Sequence, residues 1–333
     1  MARLWKATKA FFARLFRRAP PKPSRFEKGS KLTWRGLLNV APWIWPQRDY
    51  LVYIPAGHSG WRQRPLLVLV HGCRQTAEDI STASRITRLA DDLDCLVLLP
   101  KQNPRANAWG CWNWFDTRTT AGGGETALLA AQIRAVRRRY RVHPKRVFAA
   151  GLSSGAGLVA VLAMRNSGLL AGMFLHSGVA AGAASSPMSA LDVLKRGPDT
   201  NVYEFGAEAR AQGGRAAHAV PAVVLQGAAD DVVAPLHATE IVRQVLAFAR
   251  FEGTHPAPAP LPQPQSENSI TTPEGRRVTT RDWRKGGQLI ARLILVDGLA
   301  HAWSGSDASV KFTDPHAPAA TDLLREFMQH TLQ

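Results

Sequence analysis

A chain of 333 residues, 45% of them hydrophobic, is long enough to bury one large α/β core or two smaller ones. It carries 42 Lys and Arg against 25 Asp and Glu, a formal charge of +17. No helix-turn-helix, zinc-finger or RNA-binding signature accompanies that charge, so no nucleic-acid partner is expected. The longest apolar runs, 66–70 and 289–296, have strand length and fall well short of the roughly eighteen residues of a membrane span, so a soluble protein is expected.

The charge is concentrated at the start. Twelve Lys and Arg against Glu27 alone put +11 of the +17 in the first 48 residues. Within residues 3–18, Leu4, Trp5, Phe11, Phe12, Leu15 and Phe16 fall on one side of a helical wheel. Arg3, Lys6, Lys9, Arg14, Arg17 and Arg18 fall on the other. Such a basic amphipathic helix suits either an anionic membrane or apolar polymer surface, or packing on its own domain. It lacks the continuous apolar stretch and cleavage site of a secretory signal peptide. APPKPS at 19–24 ends the helix as a stiff linker. Residues 1–48 therefore read as an arm and linker, and 49–333 as the folded domain.

Strands are predicted at 49–55, 65–71 and 95–100, with a helix over 77–93 between the second and third. A long Gly- and Trp-bearing loop leads to a helix over 125–140, a strand at 146–151 and a helix over 154–166. Strands follow at 171–178 and 221–227. Alternation of short apolar strands with helices implies a mainly parallel sheet covered on both faces. Residues 179–220, rich in Ala, Ser and Gly, suit a cap over the carboxyl edge of that sheet. The proline-rich 253–267 reads as a surface loop. Residues 275–296 read as a hairpin around KGG, and 321–332 as a closing helix.

Gly151-Leu152-Ser153-Ser154-Gly155 fits G-x-S-x-G at a strand-to-helix turn, the place where a serine hydroxyl can be lifted off the backbone as a nucleophile. A serine needs a general base, and the base needs an acid to orient it. In such folds the order is serine, acid, histidine. Asp230 and Asp231 follow the strand ending at Gly227, and His301 follows the strand ending near Val296. The order alone leaves the two aspartates unresolved. An oxyanion would need two backbone donors. The N–H of Ser154 is one, and that of Cys73, after the strand ending at Val70, is the other. No metal-binding spacing is present; neither cofactor nor metal is expected.

HGCRQTAED (71–79), GCWNWFD (110–116), GLSSGAG (151–157), LQGAADDVV (225–233), GLAHAWSG (298–305) and FTDPHAP (312–318) together resemble the poly(3-hydroxybutyrate) depolymerase-type esterases, from about residue 50 onward. The resemblance implies an α/β-hydrolase fold in which Ser153 is nucleophile, His301 base and Asp230, rather than Asp231, the acid. It also implies a Cys73–Cys111 disulfide and substrate contacts from Trp112, Trp114 and Trp303. The expected activity is carboxylic-ester hydrolysis on poly(3-hydroxyalkanoate) or related hydroxyacyl esters. Acetylated or feruloylated polysaccharide and a non-catalytic granule- or membrane-surface role stand as alternatives. Family members suggest export, whereas the visible N-terminus suggests the cytoplasm.

Overall fold

The computed structural model describes residues 22–32, 47–59, 62–214 and 217–332; the amphipathic segment at 3–18 lies outside them. Strands β1 (Arg25–Leu32), β2 (Gln47–Ile54), β3 (Arg64–Val70), β4 (Leu96–Pro100), β5 (Val142–Leu152), β6 (Gly172–His176), β7 (Ala222–Gly227), β8 (Ser266–Thr271), β9 (Arg277–Lys285) and β10 (Gln288–Val296) form one sheet. Their order is β1-β2-β4-β3-β5-β6-β7-β10-β9-β8. The central six, β4 to β10 in that order, pair in parallel. Antiparallel strands extend the sheet at each side.

The apolar strands are buried on both faces, with side chains alternating between two cores. Leu66, Val68 and Val70 of β3 face one core with Leu129 and Ile133 of α4 (Gly124–Arg139) and Ile241 of α8 (Leu236–Phe248). Leu67 and Leu69 face the other, with Ile80 of α1 (Ala77–Ala83), Leu89 of α2 (Ile86–Asp92) and Leu324 and Met328 of α9 (Ala320–Leu332). The remaining helices are α3 (Thr117–Thr120), α5 (Ser154–Arg165), α6 (Pro187–Arg196) and α7 (Val202–Gln212). A parallel sheet covered by helices on both faces with this strand order is the α/β-hydrolase architecture. Because the central strands run in one direction, the turns after β3, β5, β6, β7 and β10 all open on a single edge.

Four expectations need correction. The helix over 77–93 is two helices, because Ser84 Oγ bonds back to Ile80 O at 2.6 Å and Arg85 takes the left-handed φ of 50°. Residues 25–32 are not linker. They pair along their whole length with β2, so the sheet begins well before residue 49. The proline-rich loop ends earlier than expected, because β8 begins at Ser266 and pairs with β9. Finally, 179–220 is not a cap as a whole. Its α7 joins the helix layer, where Gln244 Nε2 donates to Val202 O at 3.1 Å and to Ala181 O at 2.8 Å. Only α6 lies at the carboxyl edge, where Leu194 O accepts from Ala234 N at 2.8 Å. The hairpin is present, with Gly286 and Gly287 at φ 57° and 79° supplying the left-handed pair that a two-residue turn requires.

Candidate active site

Ser153 sits between β5 and α5 with φ 56° and ψ −123°, a conformation that costs a non-glycine residue about 1–3 kcal/mol and persists only when its surroundings hold it. Close packing holds it here. A Cβ on Gly155 would lie 2.3 Å from Val70 O, and one on Gly151 2.5 Å from the Gly155 carbonyl carbon. Gly155 is therefore demanded by the approach of the turn to β3, and Gly151 by the approach of the first turn of α5 to the end of β5. The Ser153 N–H is anchored to His176 O at 2.9 Å. The first turn of α5, with its free N–H groups and positive dipole end, begins directly after the hydroxyl.

His301 Nδ1 lies 2.8 Å from Asp230 Oδ2. The other carboxylate oxygen accepts from Val232 N at 3.0 Å and Val233 N at 2.8 Å. Gln226 Nε2 adds a bond of 3.0 Å to Oδ2. Burial alone would raise the Asp230 carboxyl, but His301, the Val233 N–H and the Ser177 hydroxyl offset it and hold the group below its ordinary range. Asp230 is thus a buried carboxylate that fixes the imidazole with Nε2 turned away from it. Asp231 is exposed. The loop carrying His301 is braced by β11 (Trp303–Ser304) pairing with β12 (Thr313–Asp314). No hydrogen bond within 3.5 Å joins Ser153 to His301 among the described residues; such contacts commonly tighten only with substrate bound.

Cys73 and Cys111 are joined by a disulfide. Ser154 Oγ lies 3.4 Å from Cys73 Sγ; a disulfide sulfur has no proton, so the hydroxyl donates. The same Oγ accepts from Trp112 N at 3.3 Å. The turn after β3, the loop 110–114 and the start of α5 are in this way tied together around Ser153. A Cβ on Gly72 would stand 3.3 Å from Ser153 Cβ, so the turn that carries Cys73 belongs to the immediate surroundings of Ser153.

The tryptophans are another matter. Trp112, Trp114 and Trp303 are 2%, 4% and 0% exposed, which leaves them no face for substrate. Trp112 Nε1 donates to His71 O at 3.0 Å and Trp303 Nε1 to Thr321 Oγ1 at 3.1 Å, while Trp114 packs against Gly157 and Phe115. They are packed into the protein, and the indole N–H groups of Trp112 and Trp303 are satisfied there. Two supporting residues went unread in the sequence. Gln226 is a polar side chain in an otherwise apolar strand, and Glu125 is an acid opening an apolar helix. That interruption of pattern is the signal each carries.

His176 is fully buried, with Nδ1 3.1 Å from Ser177 Oγ and its ring 5.4 Å from that of Trp303. Burial, reinforced by the nearby His301 and opposed by Asp230, pushes its pKa down from 6.5 to about 3. Between those values the unfolded chain binds a proton that the folded chain refuses. Stability should therefore fall as pH drops below 6.5, by about 1.4 kcal/mol per pH unit from this residue. His58, His71 and His237, also lowered by burial, act in the same direction. Thermal melts across pH 4 to 8 should show this slope, and His176→Gln should flatten it. Equal slopes in wild type and variant would refute the account.

The model of the family described as esterase PHB depolymerase matches residues 48–258. The chain belongs to this family. Poly(3-hydroxyalkanoate) depolymerase C of Paucimonas lemoignei is 30% identical over 210 residues, 62% of this chain and 49% of that protein. Feruloyl esterase B of Neurospora crassa is 28% identical over 185 residues, 54% of this chain and 63% of that protein. The chain thus spans 49% and 63% of the lengths of these two relatives. Among solved structures, an acetyl xylan esterase from Aspergillus awamori superposes with a TM-score of 0.70 over 92% of this chain and 99% of that one, at 18% identity, a likeness of fold. In this esterase PHB depolymerase family member, no group of three or more His, Cys, Asp or Glu among the described residues could hold a metal ion.

Proposed function

We propose that the chain is a serine carboxylic-ester hydrolase working through an acyl-enzyme, with Ser153 as nucleophile, His301 as base and Asp230 as the acid that orients it. The observation that carries this reading is the Asp230–His301 pair at 2.8 Å on the sheet edge where Ser153 stands on its strained turn. Ser153 Oγ attacks the ester carbonyl as His301 Nε2 takes its proton. The oxyanion is held by the N–H groups of Cys73 and Ser154, and His301 returns the proton to the departing alcohol. Water, deprotonated by the same imidazole, then releases the acid.

The substrate class is a poly(3-hydroxyalkanoate) or related short-chain hydroxyacyl ester. Besides the similarity to a depolymerase, exposed apolar side chains beside the acid support it. Val232 and Leu236 flank the Asp230 loop, and Met188 and Leu191 lie one turn apart on α6. A basic segment at 1–18 would hold the enzyme to an apolar or anionic surface. The test begins with p-nitrophenyl acetate and butyrate and a phosphonate that labels catalytic serines. One adduct on Ser153, absent in His301→Ala, is expected. Amorphous polyhydroxybutyrate granules and acetylated xylan are then compared, with and without residues 1–18. Labelling elsewhere, or none, would remove the triad. Release from xylan but not from granules would replace the substrate class. Unchanged granule sedimentation after deletion would remove the tether.

A further inference from the structure

Two cavities flank Arg74. One, of about 300 Å³, runs between the turn after β3 and the segment following His301, and its walls include Arg74, Gln75, Ser309 and Lys311. The other, of about 320 Å³, lies toward the disulfide loop, with Arg74, Lys101, Trp109 and Gly110 among its lining. Arg74 is the residue after Cys73, whose N–H is assigned to the oxyanion. Its backbone is fixed in the left-handed region at φ 58° by donating to Trp109 O at 2.8 Å. Gln75 Nε2 bonds Lys311 O at 3.3 Å, closing the far wall of the first cavity against the loop that flanks His301. Arg74 therefore lies between Cys73, whose N–H is assigned to the oxyanion, and the segment that follows the histidine loop.

The acids around it are already engaged. Glu78 pairs with Lys101, and Asp79 accepts from Thr76 N at 2.8 Å in the helix cap of α1. Arg74 and Lys311 are both exposed, and neither has a carboxylate partner within 4.0 Å among the described residues. Trp109, 56% exposed, adds an apolar ring to the lining of the second cavity. Two uncommitted cations and an open ring beside an ester-cleaving centre fit a substrate that is apolar along its length and anionic at one end.

Resting on the esterase reading above, we propose that Arg74, assisted by Lys311, binds a free carboxylate of the substrate, so that the enzyme favours carboxylate-terminated hydroxyacyl oligoesters cut close to their acid end. An arginine in this place offers a bidentate, charge-assisted grip on that carboxylate. In a partly exposed site the grip should favour the anionic ester by about tenfold, and salt should weaken it.

The test compares the 3-hydroxybutyrate dimer as free acid and as methyl ester, with full-length wild type, Arg74→Gln and Arg74→Lys. Wild type should show a kcat/KM ratio of about ten in favour of the free acid, carried mostly by KM and shrinking in high salt. Arg74→Gln should bring the ratio near one, and Arg74→Lys should restore part of it. A ratio that is the same in wild type and Arg74→Gln, with both esters hydrolysed, would overturn the carboxylate site and leave the esterase standing. Hydrolysis of neither ester by wild type would overturn both. Circular dichroism melts of the variants separate lost recognition from lost fold.

Discussion

Ser153→Ala is expected to lower kcat/KM on p-nitrophenyl butyrate by about 10⁴-fold or more, with little change in melting temperature. The two expectations belong together. Removing the hydroxyl takes away the atom proposed to form the acyl-enzyme, while the Cβ that feels the left-handed turn at φ 56° remains. Neither the strain, nor the packing of Gly155 against β3, nor that of Gly151 against the start of α5 is altered. The residual rate would come from the oxyanion donors and the bound water, which stay in place. His301→Ala should fall as far, and the double variant hardly further, because a nucleophile without its base and a base without its nucleophile fail at the same step. An alanine variant within tenfold of wild type would mean that Ser153 is a structural turn residue. The Asp230–His301 pair would then need another explanation.

The sheet and the ends of its strands were legible because they are governed by burial. The strands over 65–71, 95–100, 146–151 and 221–227 carry unbroken apolar runs, which only a strand covered on both faces can use. The turns that follow such strands in a parallel sheet must share an edge, so sequence order alone puts Ser153 and His301 on that one edge. What escaped lies where burial supplies no pattern. The strand β1, RFEKGSKL, and the strand β8, SENSIT, sit at the two edges. They are held by backbone pairing, and polar side chains face solvent on both. Trp112 and Trp303 looked like substrate contacts because aromatic residues near a nucleophile suit that role, yet their indole N–H groups find partners inside the protein and their rings pack. Glu125 and Gln226 were missed for a related reason. A buried polar residue announces itself in sequence only as a break in an apolar run, and its partners are distant in the chain.

Glu125→Ala is the substitution expected to cost the most stability, about 3–5 kcal/mol. Its carboxylate opens α4 and is paired with Arg48 of β2 at 3.1 Å, the two side chains being 3% and 1% exposed. Oε1 also accepts from Gln102 Nε2 at 2.7 Å and Asn113 Nδ2 at 3.2 Å. Oε2 takes the Asn113 N–H at 2.7 Å, and Gln102 Nε2 reaches on to Cys111 O at 2.7 Å. One carboxylate therefore ties a sheet strand, the turn after β4 and the disulfide loop to the start of a helix. Alanine would leave the guanidinium of Arg48 buried without its carboxylate, and would free two donors of Asn113. A loss of that size in a domain of this length corresponds to a fall in Tm of about 10 °C, read by calorimetry or by urea midpoint. Glu125→Gln, which keeps the shape and an acceptor oxygen, should lose less. Activity should fall with stability in both, since Trp112 N–H holds Ser154 Oγ and Cys111 holds Cys73. The loop that Glu125 anchors therefore carries one side of the proposed oxyanion site. A Glu125→Ala protein within about 1 kcal/mol of wild type, at full activity, would show that backbone packing alone positions that loop. The rise of kcat loss from Gln to Ala, measured well below either melting temperature, separates a displaced oxyanion loop from a protein that merely unfolds sooner.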